Sequence, residues 1–374
     1  MRHKLIVFID WFYPSYKAGG PIKSVFNIVS VLKHSHDIRV ITSAYDLDGT
    51  EVNLEHNELL QRDGYQVIYL AKEDQIAHRV KFLVDEFQPN LIYMNSVFSV
   101  NFAILPLFWF KSKFKIIIAP RGMLGAGALK IKALKKSVFL FLGKHFLFDE
   151  QLVWHASTQL EAREIKGVIG KLANVRIAQN VSSPIMNRNQ SSASKKIGDL
   201  KLVFLSRISE KKNLLFFLQL LSKQLELNVT LDIYGPIEDI GYWEECSKYV
   251  AKDERIKYAA IVPPNQISEM VQQYHFSILP TKHENYGHSI AESITSLVPV
   301  LISKNTPWLN LEKYNVGYDL ELDETIWVNC MLKLISMDQV EYDDKLTSCE
   351  VFAQERILSK NIIQQNQKLF SIEH

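Results

Sequence analysis

Two glutamates eight positions apart, Glu284 and Glu292, are the residues in this chain whose types and spacing best suit chemistry. Glu284 lies in a polar loop after the apolar run 276–279, which predicts a buried strand, and Glu292 lies in a helical pattern that opens at Gly287. The first N–H groups of a helix have no partner within it, so a strand, a tight loop and a helix start can bind an anion. Because carboxylates accept hydrogen bonds from vicinal hydroxyls, the two could hold a ribose and a hexose of one ligand.

Two cations earlier in the chain have a spacing that suits phosphate. Arg207 ends a predicted strand, 202–205, and Lys212 stands five residues later, at the start of a predicted helix, 214–221. Both can contact one diphosphate, the arginine as a fork and the lysine as a point charge. Surface cations near a helix start are common. The alternative is therefore that Arg207 and Lys212 are ordinary surface residues without a ligand.

A glycine-rich loop follows the first predicted strand, residues 5–9. Gly19 and Gly20 precede Pro21 and an amphipathic helix, and they allow close approach of the backbone to a ligand. An ordinary strand–helix turn is the alternative.

Together these segments resemble the retaining family 4 glycosyltransferases. The spacing of Glu284 and Glu292 matches the E-x7-E signature of that family, Arg207 with Lys212 matches its arginine-and-lysine motif, and residues 18–21 match its glycine-rich loop. The resemblance covers nearly the whole chain. It implies an α/β protein of the GT-B fold, in which two Rossmann-like domains with parallel sheets face a central cleft and a C-terminal helix crosses back to the first domain.

The resemblance also implies a reaction and roles for single residues. A sugar would pass from a nucleotide diphosphate sugar to a hydroxyl of a glycan or of a polyprenyl-diphosphate-linked acceptor, with retention at the anomeric carbon and without metal or cofactor. Glu284, Arg207 and Lys212 would form the catalytic set, with Glu284 orienting the sugar, and Glu292 would bind the ribose. The other implied donor-binding residues are Asn285, Tyr286, Gly287, Gly19, Gly20 and Val262.

Arg121 and Gly122 follow another predicted strand, 116–119, at the edge where ligands bind in parallel sheets. The segment Pro-Arg-Gly-Met-Leu is similar to a subgroup of the family that is associated with surface polysaccharides such as capsule, exopolysaccharide and lipopolysaccharide. We therefore expect these two residues to face the acceptor or the sugar, with an ordinary surface arginine as the alternative.

The length of 374 residues exceeds one typical core, so two domains are expected. By the resemblance, residues 1–182 form an acceptor domain and 200–355 a nucleotide-sugar domain. The stretch 183–199 has the composition of a linker, and 356–374 would form the returning helix.

Composition predicts a cytoplasmic protein. Three scattered cysteines indicate neither a disulfide framework nor a zinc site, and the first apolar run ends at Asp10 after five residues, too short for a signal peptide. Asp46 and Asp48 imitate the DxD metal motif of another glycosyltransferase fold, but Asp48-Gly49 is a common turn pair, so we expect a turn and no metal. No nucleic acid partner is expected.

Positive charge is concentrated in one stretch. Residues 87–148 contain nine Lys and Arg and no Asp or Glu, which leaves a net charge of −7 for the remainder of a chain whose total is +2. Within a predicted helix, 128–148, three lysines at helical spacing alternate with apolar residues; they are Lys132, Lys135 and Lys136. Such a helix can bind an anionic membrane surface, here the inner face of the cytoplasmic membrane. An ordinary helix with a solvated basic face is the equal alternative.

Two functions of other classes stay open at this stage. One is a nucleotide-sugar epimerase of the same fold, which would form products without an acceptor. The other is a non-catalytic sugar-binding protein.

Overall fold

The computed structural model describes residues 2–74, 77–130, 132–189 and 192–371. The chain divides into two compact units, Met1–Val181 with Lys360–His374, and Ser182–Ser359. The stretch with linker composition, 183–199, thus belongs to the second unit, and the chain returns to the first unit at Lys360. Within the described residues, no helix combines the length and the apolar composition needed to cross a bilayer.

The first unit is an α/β domain around one sheet. Its strands are β1 His3–Phe8, β2 His36–Ser43, β3 Leu59–Arg62, β4 Tyr65–Leu70, β5 Leu91–Met94, β6 Lys115–Ile118, β7 Val153–Ala156 and β8 Asn174–Ile177. Its helices up to that point are α1 Gly20–Leu32, α2 Ala77–Phe87, α3 Leu105–Phe110, α4 Ala126–Lys130, α5 Ala133–Phe146 and α6 Gln159–Ile169. In the described residues the strand order is β3-β4-β2-β1-β5-β6-β7-β8, and all neighbours are parallel except β3 with β4.

The apolar runs of these strands follow from burial on both faces. Successive side chains of a strand point to opposite faces, so Leu5 and Val7 enter one core cluster while Ile6 and Phe8 enter another. Helices cover a parallel sheet on both sides, and its strands therefore read as continuous rather than alternating apolar runs.

The second unit repeats this architecture. Its strands are β9 Leu200–Leu205, β10 Val229–Tyr234, β11 Ile256–Ala260, β12 Phe276–Leu279, β13 Val300–Ser303 and β14 Gly317–Leu320. Its helices are α7 Leu214–Ser222, α8 Ile240–Val250, α9 Ile267–Val271, α10 His288–Thr295, α11 Glu324–Ser336 and α12 Gln339–Phe352. The parallel sheet has the order β11-β10-β9-β12-β13-β14.

The strand order locates the expected binding edge of the second unit. The chain builds the sheet outward from β9 in one direction, then crosses to β12 and builds in the other, so the order reverses between these two neighbours. Ligands of open α/β sheets bind outside the carboxyl ends of the strands at such a reversal. Arg207 follows β9 and Glu284 follows β12, so both lie at this point.

The last helix, α13 (Lys360–Phe370), belongs to the first unit. Its Asn366 amide donates to the carbonyl of Gln179 over 2.8 Å, and the carbonyl of Phe370 lies 3.3 Å from Nε2 of His36. The predicted return of the C-terminal helix to the first domain is confirmed.

Candidate functional site

The loop after β12 is fixed by the segments that follow the two neighbouring strands. Thr281 Oγ1 and the N–H of Lys282 both donate to the carbonyl of Lys211, each over 2.9 Å. Lys211 lies in a 3-10 turn, Glu210–Lys212, that follows β9. On the other side, the N–H of Glu284 donates to the carbonyl of Asn305 over 2.9 Å, after β13. The loop that carries Glu284 is therefore held by the carboxyl ends of three adjacent strands.

Gly287 allows this loop to enter α10. It precedes the helix with φ 81°, a left-handed conformation. A Cβ atom at this position would lie 2.8 Å from Cδ1 of Ile290 and 3.2 Å from Cγ of Glu284. Any larger residue would therefore be strained and would press on the glutamate.

Lys212 and Glu284 form a buried ion pair, although 72 positions separate them. Only 11% of each side chain is exposed. Burial, the largest single influence, raises the pKa of the Glu284 carboxyl. Attraction by Lys212 and Lys211, together with hydrogen bonds from Lys212 and from the backbone of Asn285, outweighs burial and lowers the pKa to about 2. Glu284 is thus an anion at any pH near neutrality.

Further ionisable groups surround this pair. Burial lowers the pKa of Lys211 and that of His283, and for both the neighbouring cations act in the same direction. Arg207 Nη1 lies 2.5 Å from Oε1 of Glu238, and about a third of each side chain is exposed. Since an ion pair with this much solvent exposure is worth only about 0–1 kcal/mol, an incoming anion can take the place of Glu238 at small cost.

Close backbone packing sets the position of Arg207. A Cβ atom on Gly235, which has φ 140°, would lie 2.0 Å from the carbonyl oxygen of Ser206. The N–H of Ile208 donates to the carbonyl of Pro236 over 2.8 Å. The turns after β9 and β10 are therefore in direct backbone contact. Arg207 lies between the two contacting residues of its turn, Ser206 and Ile208.

The other predicted donor-binding residues of this unit have different environments. Glu292 is half-buried within α10. Tyr286 is buried; its hydroxyl lies 2.9 Å from Oγ of Ser182, and its ring packs edge-on against Trp308. Its side chain thus supports the loop from the interior of the unit. Val262 is half-buried and packs against an apolar cluster that includes Val203.

In the first unit, Arg121 is the centre of a polar network rather than an ordinary surface arginine. Its guanidinium donates to Oδ1 of Asn95 (2.9 and 3.2 Å), to Oδ1 of Asn180 (2.7 Å) and to the hydroxyl of Tyr93 (2.6 Å). The Tyr93 hydroxyl also lies 2.8 Å from Nδ1 of His155. Burial lowers the pKa of His155 to about 3, so this imidazole is neutral. Arg121 thereby links residues at the ends of several strands of the sheet.

Gly122 is held by a buried carboxylate. Its N–H donates to Oε1 of Glu161 over 2.7 Å, while the N–H and hydroxyl of Ser157 both donate to Oε2 at 2.7 Å. Glu161 lies in the first turn of α6. The Arg121-Gly122 turn is thus fixed on both sides.

Asp46 and Asp48 organise the segment before Gly19 and Gly20. Asp46 accepts hydrogen bonds from the N–H groups of Tyr16 (3.0 Å) and Lys17 (3.3 Å), and Asp48 pairs with the Lys17 ammonium at 2.5 Å. Gly19 then adopts φ 70°, and α1 begins at Gly20. The two aspartates therefore have structural partners within their own unit.

The three predicted membrane lysines do not share one environment. Lys132 precedes α5 in a left-handed conformation and is exposed, as is Lys135. Lys136 turns inward: its ammonium donates to the carbonyl of Ala128 over 2.6 Å and lies 5.0 Å from the centre of the Phe98 ring. Lys136 thus connects α4, α5 and the segment after β5.

Solved structures of similar fold match almost the whole chain. A sucrose-phosphate synthase from Thermosynechococcus elongatus superposes with a TM-score of 0.75 at 12% identity, over 99% of this chain and 98% of that one. WaaG, a glycosyltransferase involved in lipopolysaccharide biosynthesis, gives 0.70 at 12% identity, over 98% and 100%. HepE from Anabaena, in complex with UDP-glucose, gives 0.69 at 14% identity, over 98% of each chain. The fold is GT-B.

The family model for glycosyl transferases group 1 matches residues 187–316, a segment of the second unit of this GT-B chain. This segment contains Arg207, Lys212, Glu284 and Glu292. No curated protein matches the chain in sequence.

The structure places several residues that the sequence motifs did not indicate next to Glu284 and next to the Arg121-Gly122 turn. Lys211 adds positive charge beside Glu284. Its position next to Lys212 in the sequence is the feature from which this role could have been predicted. Asn95, Asn180 and Glu161 hold the Arg121-Gly122 turn. Asn95 stands directly after the apolar run of β5, so a search for polar residues after such runs would have found it. Asn180 stands three residues beyond β8, and the same search would have missed it.

Proposed function

We propose that this protein is a retaining glycosyltransferase. It transfers a sugar from a nucleotide diphosphate sugar to a hydroxyl of a glycan or lipid-linked acceptor in cell-surface polysaccharide biosynthesis, without a metal ion. The observation that carries the proposal is the buried Lys212–Glu284 pair, which lies with Lys211 and Arg207 at the strand-order reversal of a GT-B domain. The match of the glycosyl transferase group 1 model to this segment supports it.

The chemistry requires stabilisation of the leaving diphosphate as the sugar–phosphate bond breaks. Arg207 and Lys211 supply positive charge, and the start of α10 at Gly287 supplies backbone N–H groups with the positive end of the helix dipole. Lys212 contributes a third cation, already fixed by Glu284. Groups that are in place before the bond breaks need no reorganisation during the reaction, which is why no metal is required in this scheme.

Glu284 is the group suited to hold the sugar. Its carboxylate is ionised, and Lys212 and the backbone of Asn285 keep its orientation. An ionised carboxylate accepts hydrogen bonds from sugar hydroxyls at nearly twice the strength of a neutral acceptor. Glu292, half-buried within α10, is assigned to the ribose of the nucleotide.

In the first unit, we assign Gly19 and Gly20 to the donor phosphates and the Arg121-Gly122 turn to the acceptor or the sugar. The turn is rigid, because Asn95, Asn180 and Glu161 fix it, and a binding group on a rigid element loses little entropy on contact with its ligand.

The test begins with donor identification. A panel of nucleotide sugars, with UDP-glucose first because HepE is solved with that compound, is screened for thermal stabilisation. The stabilising donor is then incubated with glycan and polyprenyl-diphosphate acceptors, and the anomeric configuration of the product is read by NMR. We expect retention, and abolished transfer in Glu284→Gln, with Glu210→Gln as the matched control from the neighbouring exposed turn.

Other outcomes would identify another function. A donor converted to a new nucleotide sugar without acceptor would make the protein an epimerase. Wild-type turnover in Glu284→Gln would remove the assignment of this residue. Inversion at the anomeric carbon would contradict the retaining mechanism.

A further inference from the structure

Helix α5 exposes a continuous apolar surface. Five of its large apolar side chains are between 47% and 79% exposed; they are Leu134, Val138, Phe141, Leu142 and Phe146. At 100° per residue these positions lie within a sector of about 140° on one side of the helix. We call this surface the α5 stripe. Apolar residues scattered singly on a surface need no explanation, but a stripe that includes two phenylalanines is typical of a binding surface.

The remaining sides of the same helix are anchored in the first unit. Leu140 and Gly143 are buried, and the ring of Phe139 packs edge-on against those of Phe98 and Phe148. The α5 stripe is therefore held on a folded helix and faces outward, so solvent exposure here is a property of the packed unit.

Exposed cations accompany the stripe. Lys132 stands at the start of α5, Lys135 lies in its first turn, and Lys144 lies in its last turn. They belong to the segment 87–148, which contains nine positive and no negative residues. An occupant of this surface has to present apolar groups and negative charge together.

A second copy of the chain does not fit this requirement. Two α5 stripes packed face to face would bring the cations Lys132, Lys135 and Lys144 of one copy near those of the other, and like charges in contact are unfavourable. An anionic bilayer meets both requirements, because its acyl chains accept the apolar side chains while its phosphates lie at the level of the ammonium groups.

We propose that α5 is a membrane-docking helix. It lies in the plane of an anionic bilayer surface, inserts the α5 stripe between the headgroups and sets Lys132, Lys135 and Lys144 against lipid phosphate. Lys136 takes no part, because its ammonium is bound to Ala128 and Phe98. The inference concerns one surface of the first unit and stands whether or not the protein transfers sugars.

The experiment is vesicle co-sedimentation of the full chain, with vesicles of phosphatidylcholine alone and of phosphatidylcholine with 30% phosphatidylglycerol. Phe141→Ser with Phe146→Ser should lower binding to the anionic vesicles by at least about tenfold, at low and at high salt. The matched control is Leu172→Ser, an 84% exposed apolar residue of the same unit outside α5. This control should bind like the wild type.

The charge contribution is tested separately. Lys135→Gln and Lys144→Gln should each weaken binding about fivefold at low salt and much less at high salt, since ionic attraction to a lipid surface is screened. Lys171→Gln, exposed and outside α5, is the control. Melting temperatures and nucleotide stabilisation should stay at wild-type values in all these variants, which separates a failure of docking from a failure of the proposed reaction.

Three results would overturn the proposal. Sedimentation of the double serine variant equal to that of the wild type would exclude insertion of the stripe. Absence of wild-type binding to anionic vesicles would exclude the bilayer as the occupant. A wild-type dimer in analytical ultracentrifugation that the serine substitutions convert to a monomer, without vesicle binding, would make a second copy the occupant.

Discussion

The Lys212–Glu284 pair offers the sharpest test of the second unit. Glu284→Gln keeps the shape of the side chain and removes its charge. The pKa of Glu284 falls from its ordinary 4.5 to about 2 despite burial. A depression of this size corresponds to about 3 kcal/mol in favour of the ionised folded state. We therefore expect Glu284→Gln to lower the free energy of unfolding at pH 7 by up to about 3 kcal/mol, because Lys212 loses its buried partner.

The dependence on pH has a definite sign. A carboxyl whose pKa is depressed in the folded state contributes stability above its unfolded pKa and loses it as the pH falls through the folded value. The contribution of Glu284 should thus be complete above about pH 4.5 and decline toward pH 2. The difference in stability between the wild type and Glu284→Gln should shrink over the same interval.

The assay is urea denaturation followed by circular dichroism at pH 7 and pH 3. Glu210→Gln is the matched control, because Glu210 pairs with Lys282 in the same loop region but is 72% exposed. Lys212→Met combined with Glu284→Gln completes a double-mutant cycle, in which the double variant should be more stable than the sum of the single losses predicts. A loss in Glu284→Gln no larger than in Glu210→Gln, or a cycle without coupling, would refute the buried pair.

Three further predictions address the proposed nucleotide site. Glu292→Ala should weaken nucleotide binding in calorimetry by roughly 1.5–3 kcal/mol, the value of a charged hydrogen bond, whereas unchanged affinity would exclude the ribose assignment. Transfer should survive a chelator, because Arg207, Lys211 and the start of α10 provide positive charge for the diphosphate; loss that added magnesium restores would contradict this. Gly235→Ala should lower both the melting temperature and nucleotide affinity, since its Cβ would lie 2.0 Å from the Ser206 carbonyl, and a wild-type melting curve would show that the two turns separate easily.

Sequence patterns located the strands well because burial on both faces is a local property of each run. The predicted strand 276–279 coincides with β12, the predicted strand 202–205 lies within β9, and the predicted helix 214–221 lies within α7. The predicted helix 128–148 is instead two helices, α4 and α5. Lys132 stands between them with φ 54°, and a left-handed residue cannot continue an α-helix.

The pairing of charges could not be predicted in the same way. The motifs indicate that Lys212 and Glu284 belong to one site, but they predict separate roles, with Lys212 binding phosphate and Glu284 binding sugar. Their ion pair joins residues 72 positions apart and depends on the hydrogen bonds that tie the 281–284 loop to Lys211. Likewise, the partners of Arg121 follow β5 and β8, which the fold brings together and which no local pattern connects.

The Lys212–Glu284 ion pair affects the role that each cation of the candidate site can have. Glu284 already neutralises much of the charge of Lys212, so in the proposed reaction the attraction on an incoming diphosphate should come chiefly from Lys211, Arg207 and the start of α10. Arg207 must break its ion pair with Glu238 to bind the diphosphate. Because both side chains are partly exposed, the free-energy cost of breaking this pair is small. Lys212, in contrast, is best placed to hold the Glu284 carboxylate ionised and oriented while a sugar binds. We therefore expect the two cations of one sequence motif to have different roles, because Lys212 is buried against a carboxylate and Arg207 is about a third exposed.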